Sequence, residues 1–209
     1  MIELLQQQAP VLLEKTGEHL LIAAISLLLG VIVAVPLGLL ITRTKRIGPL
    51  MMGIAALLQT VPSLALLAFM IPLFSVGKPP AIAALFLYSL SPILRNTYLA
   101  VKNIDPKLTD AARGMGMTSG QILRQIELPL GMPIIMAGIR LSAVYIISWT
   151  TLASYIGAGG LGDFIFTGLQ NYMPNYIFLG TIPIALLALL TDWLFGHLET
   201  LLTPKGGRA

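Results

Sequence analysis

Five long apolar stretches separated by shorter polar ones set the pattern of this chain: Leu20 to Ile41, Leu50 to Phe74, Pro80 to Leu99, Pro133 to Ile156 and Tyr176 to Phe195. Each is close to the roughly 20 helical residues that cross a hydrocarbon core about 30 Å thick. The pattern predicts an all-α integral membrane protein, a single transmembrane domain over residues 1–209 with about five crossings. The second stretch is interrupted by Gln59, Thr60 and Pro62, and again by Pro72; the third contains Ser91-Pro92. Gly77-Lys78-Pro79-Pro80 is the turn between them. The longest polar gap, residues 102–132, falls between the third and fourth stretches.

That gap reads as two short helices around a glycine joint. Asp105 caps the first, with Pro106 at the first helical position, where a missing N–H costs nothing. The helix then runs through Asp110-Ala111-Ala112-Arg113, and Gly114 and Gly116 stop it by taking left-handed backbone angles. Thr118-x-x-Gln121 is a capping box opening the second helix, which presents Ile122, Leu123 and Ile126 on one face until Pro129 ends it. Small residues at Ala111, Ala112 and Gly116 let another protein approach closely, as a helix laid into a partner's groove requires. A solvated loop helix is the plainer alternative.

Composition agrees with a bilayer as solvent: 56% of residues are hydrophobic and 11% charged, with a mean hydropathy of +0.86. Soluble domains carry about a quarter charged residues. With no cysteine, disulfides and zinc–thiolate sites are excluded. The charge of +4 matters through its placement. Arg43, Lys45 and Arg46 follow the first stretch; Arg95, Lys102, Lys107, Arg113 and Arg124 lie in or beside the polar gap; Lys205 and Arg208 lie near the C-terminus. With five crossings all fall on one side, and only Lys15 and Lys78 on the other. Basic flanks resist translocation, so the N-terminus is expected outside and the C-terminus in the cytoplasm. The first stretch is not expected to be a cleavable signal, because Glu3, Glu14 and Glu18 precede it and its apolar core is long.

Asp110-Ala111-Ala112, Gly116 and Ile126-Glu127-Leu128-Pro129 resemble the EAA motif of ABC importer permeases, with Asp in place of the usual Glu. Leu58 to Ser63, Ser91 to Thr97, Ile134 to Arg140, Tyr155 to Asp163 and Thr203 to Gly206 resemble the osmoprotectant branch, which imports glycine betaine, carnitine or choline. The resemblance implies a type I permease core that acts as a dimer with an identical or related permease. It further implies two ATPase subunits binding ATP and magnesium, and an extracytoplasmic binding protein that largely sets solute choice. Asp110, Ala111, Ala112, Arg113, Gly116, Ile126, Leu128 and Pro129 would then be the ATPase-coupling residues. The chain itself is expected to hold no cofactor or metal and to meet membrane lipid, not nucleic acid.

No Gly-x-x-x-x-Gly-Lys-Ser/Thr stretch is present, so ATP hydrolysis is assigned to another subunit. Gly157, Gly159 and Gly162 have a dinucleotide-type spacing but follow a membrane helix, and are read instead as a tight turn at the outer mouth, next to an amphipathic piece around Phe164 to Leu169. For the pathway, Gln59, Thr60, Pro62 and Ser63, with Ser89, Ser91 and Asn96, offer polar or kinked positions near mid-membrane; helix–helix packing is the competing role. Tyr88, Tyr145, Trp149 and Tyr155 could pass a quaternary ammonium by cation–π contact, or serve as packing and interface residues.

Two other classes make different demands of the sequence. A secondary carrier would need intramembrane carboxylates, and the sequence offers only Asp192, expected to pair with Arg140 or to reach the interface independently. An intramembrane hydrolase would need His19 or His197 beside Ser91 or Ser154, yet both histidines fall at helix ends, where interfacial placement is the default.

Overall fold

The computed structural model describes residues 2–44 and 46–203, and among these no strand occurs. Lys45, Pro204, Lys205, Gly206 and Arg208, part of the charge count and of the resemblance, lie outside the described residues. Helix α1 spans Ile2–Ile41. It begins well before the apolar run at Leu20, because the preceding stretch is dominated by strong helix formers such as Leu, Gln, Glu and Lys. At 40 residues it is about 60 Å long, twice the hydrocarbon thickness.

The second apolar stretch is not one straight crossing. Helices α2, Ile47–Thr60, and α3, Ser63–Phe74, meet at an angle of 97°. Pro62 causes this: its ring excludes the helical region for the residue before it, and Val61 is extended at φ −67°, ψ 127°. Helix α4, Lys78–Lys102, opens with prolines in its first turn. Helix α5, Pro106–Gly114, is followed by α6, Ser119–Ile122, a π-helical segment Leu123–Glu127, and α7, Leu128–Ala153. A 3-10 turn, Ser154–Ile156, leads to α8, Gly162–Gln170, and α9, Pro174–Leu202.

Contrary to expectation, Pro129 ends no helix. Helical structure runs unbroken from Ser119 to Ile156, with Pro129 in the first turn of α7. A proline gives up its N–H and crowds the carbonyl four residues back; the wider turns of Leu123–Glu127 accommodate both.

By length and apolarity alone α1, the Ser119–Ile156 rod and α9 can cross a bilayer, and the bent pair α2–α3 adds a fourth span. Helix α4, the third apolar stretch, is not apolar enough to qualify with them. Its 25 residues suffice in length, and it packs against α1, α2, α3 and α7, burying Ser89, Ser91 and Thr97. A helix shielded by protein needs no apolar face all round. Small residues permit the close crossings: Gly30 and Gly38 of α1 face Ser89 and Thr97 of α4, and Gly138 of α7 faces Asn96.

Candidate functional site

The polar gap folds into a water-exposed elbow whose ends are fixed locally. Asp105 accepts a hydrogen bond from the Lys107 amide at 2.9 Å, with Pro106 opening α5. Thr118 and Gln121 form a reciprocal capping box: the Thr118 amide donates to Gln121 Oε1 at 2.7 Å, and the Gln121 amide to Thr118 Oγ1 at 3.4 Å. Between them Gly116 takes φ +81°, its amide donating to the Arg113 carbonyl at 2.9 Å. Gly114, expected to share that role, instead stays within α5 with no left-handed angle, because one such residue suffices to turn the chain.

Ala112 and Ile122 face inward and are buried, whereas Asp110, Ala111, Arg113 and Gly116 are exposed. Asp110 and Arg113 pair at 3.2 Å on the open surface, where such a pair contributes little. Ile126, Leu128 and Pro129 are half-buried at the root of the elbow. Between Ile126 and Leu128, Glu127 is 5% exposed and grips Arg43 with both carboxylate oxygens, Nη1 donating to Oε1 at 3.0 Å. Sequence reasoning passed over this pair. Five residues beyond buried Ile122, Glu127 leaves the apolar face of an α-helix but stays on it in a π-helix.

The kinked residues of the second stretch meet the aromatics. At the α2–α3 break the Val61 carbonyl accepts a 2.6 Å hydrogen bond from the buried Tyr88 hydroxyl. Tyr88 packs on Trp149 with ring centroids 4.4 Å apart, and Trp149 stacks on Tyr145 at 5.7 Å. Gln59 and Ser91 line one cleft of about 440 Å³ between α2 and α4, together with Arg95 and Tyr98. Thr60 and Pro62 are exposed beside it, Ser63 partly so, and the Thr60 hydroxyl bonds the Leu57 carbonyl. Asn96 lies elsewhere, donating to the Pro92 carbonyl at 2.9 Å and facing Gly138 across the α4–α7 crossing. Tyr155 is also apart, packed on Phe166.

Arg140 on α7 holds Asp192 on α9 with both ends of its guanidinium, Nε to Oδ1 at 2.6 Å and Nη2 to Oδ2 at 2.7 Å. Glu199 lies 3.6 Å from Nη1, and Gly196 leaves room for the guanidinium.

At the opposite end of the fold Gly157, Gly159 and Gly160 have positive φ, while Gly162 is helical and packs on the Thr151 carbonyl. The turn therefore uses Gly160 where Gly162 was expected. Its Gly160 amide donates to the Glu18 carboxylate at 3.2 Å, which also takes Lys15 at 3.0 Å and Lys78 at 2.9 Å. His19 is fully buried here, its Nε2 donating to the Ile147 carbonyl at 2.8 Å, so it is no interfacial side chain. Position near the end of an apolar run misled, because α1 continues past that end and packs on α7. His197 is exposed and stacks on Trp193.

Residues 20–203 match the family model described as "Binding-protein-dependent transport system inner membrane component". The glycine betaine/carnitine/choline transport system permease protein OpuCB of Bacillus subtilis (strain 168) is 52% identical over 99% of this chain and 95% of its own length. The carnitine transport permease protein OpuCB of Listeria monocytogenes is 53% identical over 97% and 93%, and the B. subtilis choline transport system permease protein OpuBB 51% over 98% and 94%. In fold, a chain of the inward-facing MetNI methionine ABC transporter superposes with a TM-score of 0.85 at 22% identity, over 95% of this chain and 99% of that one.

Proposed function

Because this chain belongs to the family of binding-protein-dependent transport system inner membrane components, we propose that it forms half of the membrane core of an ATP-driven importer of quaternary ammonium solutes such as glycine betaine, carnitine or choline. A second permease, identical or related, completes the pathway. Two ATPase subunits, which hold ATP and magnesium, seat the elbows of the pair, and an extracytoplasmic binding protein delivers solute. The elbow carries the reading: a doubly capped, water-exposed α5–α6 unit, turned by Gly116, that continues without a break into the membrane rod α7. A force applied at Asp110 to Gly116 passes through the capped turn into α6, and from Ser119 onward it reaches Tyr145 and Trp149 along one continuous helix.

The orientation proposed is N-terminus outside, elbow and C-terminus in the cytoplasm. Arg43, Arg46, Lys102, Lys107, Arg113 and Arg124 in and around the elbow support it. The pathway is drawn along the α2–α3 break, where Gln59, Thr60, Pro62, Ser63 and Ser91 are polar or kinked, and past Tyr145 and Trp149, whose ring faces attract a quaternary ammonium group. Asn96 belongs with helix packing and is left out of the pathway.

The test is reconstitution of the permease pair with its ATPase and binding protein in proteoliposomes, measuring uptake of labelled glycine betaine, carnitine and choline. Uptake that needs ATP and binding protein supports the reading. Uptake by the permease alone under an ion gradient would replace it with a carrier.

A further inference from the structure

Glu127 carries a buried carboxylate in the one segment that links the elbow to the membrane rod, and both its oxygens are held by Arg43. Arg43 lies in the connection between α1 and α2, two residues after α1 ends. Among the described residues, this is the only side-chain hydrogen bond or ion pair that joins residues 103–127 to any other part of the fold; the other polar contacts of Asp105, Thr109, Asp110, Arg113, Thr118 and Gln121 stay inside the elbow. A bidentate guanidinium–carboxylate pair fixes direction as well as distance, and shielding of the carboxylate strengthens the link.

What Arg43 is attached to gives the pair its meaning. The Arg43 amide donates to the Leu40 carbonyl of α1 at 3.1 Å, and the adjoining Thr44 carbonyl accepts from the Gly48 amide of α2 at 3.4 Å, so the pair bears on the α1–α2 corner; α2 runs from Ile47 to the Val61–Pro62 break. Thus the π segment has two outlets for a displacement of the elbow. One is covalent, into α7 and its aromatic pair Tyr145 and Trp149; the other runs through Glu127 and Arg43 into α2 and the break that faces those aromatics through Tyr88. Two elements on opposite sides of the aromatic contact then receive the same input.

We infer that Arg43 and Glu127 are positioning residues for coupling: the pair transmits movement of the elbow to α2, so that the α2–α3 break and α7 shift together. The inference rests on the transport reading above, but it fails separately from it.

The experiment uses the assembled transporter with its binding protein in proteoliposomes and reads solute imported per ATP hydrolysed, alongside the amount of complex recovered. R43Q alone strands a buried carboxylate and can harm folding, so the decisive variant is the neutral double R43Q/E127Q, with the charge swap R43E/E127R as rescue. The double variant is expected to assemble in wild-type amounts while import per ATP falls at least about fivefold, the scale of a typical coupling free energy. The swap recovers most of that ratio. An unchanged ratio in the double variant overturns the inference. So does a loss of uptake that only tracks a loss of assembled complex, which marks the pair as structural. If the wild-type complex itself imports without ATP, the transport reading falls first.

Discussion

The Tyr88 hydroxyl donates to the Val61 carbonyl at 2.6 Å, and this bond ties α4 to the point where the second apolar stretch breaks. Pro62 forces Val61 out of the helix, so the carbonyl loses its helical partner and needs another. A tyrosine one helix away supplies it, and the same ring packs against Trp149 of α7. The break is thereby held between two helices.

Tyr88→Phe keeps the ring contact and removes only this donor. The stranded carbonyl should cost about 1–3 kcal/mol, the range for a shielded acceptor left unpaired. The expected result is a lower Tm of the detergent-purified complex with Trp149 fluorescence little changed. An unchanged Tm would mean that another group satisfies Val61.

Gly116 separates backbone strain from partner contact. Its φ of +81° suits glycine, yet among the described residues nothing beyond its two chain neighbours lies within 4 Å of where a Cβ would stand. Gly116→Asn tolerates the angle at little cost, whereas Gly116→Val adds about 1–2 kcal/mol of backbone strain and a branched side chain on the exposed face. Both variants should insert in the membrane. Solute-stimulated ATP hydrolysis should be nearly abolished by Val and partly kept by Asn. Equal, normal stimulation in both would remove the elbow from the ATPase contact.

Local signals explain what the sequence made legible. Asp105 with Pro106, and Thr118 with Gln121, are caps whose partners sit within three residues, so spacing alone places them. The Arg140–Asp192 pair is one of two arrangements the sequence allows, because opposite charges inside apolar runs seek each other. Arg43 and Glu127 are 84 residues apart, and only the π segment turns Glu127 inward; nothing in a periodicity of hydrophobic positions announces such a turn. His19 illustrates the same limit, since its burial depends on Gly160 folding back over α1. Helix α4 was legible as a helix but not as the centre of the bundle, because a polar-studded pattern says that some face is shielded without saying by what.

The Arg140–Asp192 pair predicts non-additive substitutions. Both side chains are partly exposed, and Glu199 stands by as a second partner for Arg140. Asp192→Asn should therefore lower Tm only modestly, and Arg140→Ala more, since it leaves Asp192 and Glu199 close together without the intervening cation. Combining the two should lower Tm by less than the sum of the single effects. Strict additivity across the cycle would show that the pair contributes no interaction of its own.

Glycines at helix crossings give a last contrast, because the same chemical change meets different surroundings. A Cβ on Gly138 would stand 2.5 Å from Asn96 Cβ and 3.1 Å from the Pro92 carbonyl, so α4 and α7 would have to separate. Gly138→Ala is expected to destabilise the fold by about 1–3 kcal/mol, the cost of overpacking a close interface. On α1, Gly17 has nothing within 4 Å. Gly17→Ala should leave stability unchanged or raise it by about 0.5–1 kcal/mol, through the lower backbone entropy lost on forming the helix. Thermal unfolding of the two purified variants decides the matter: if Gly138→Ala is as stable as Gly17→Ala, the α4–α7 crossing is looser than its small residues imply.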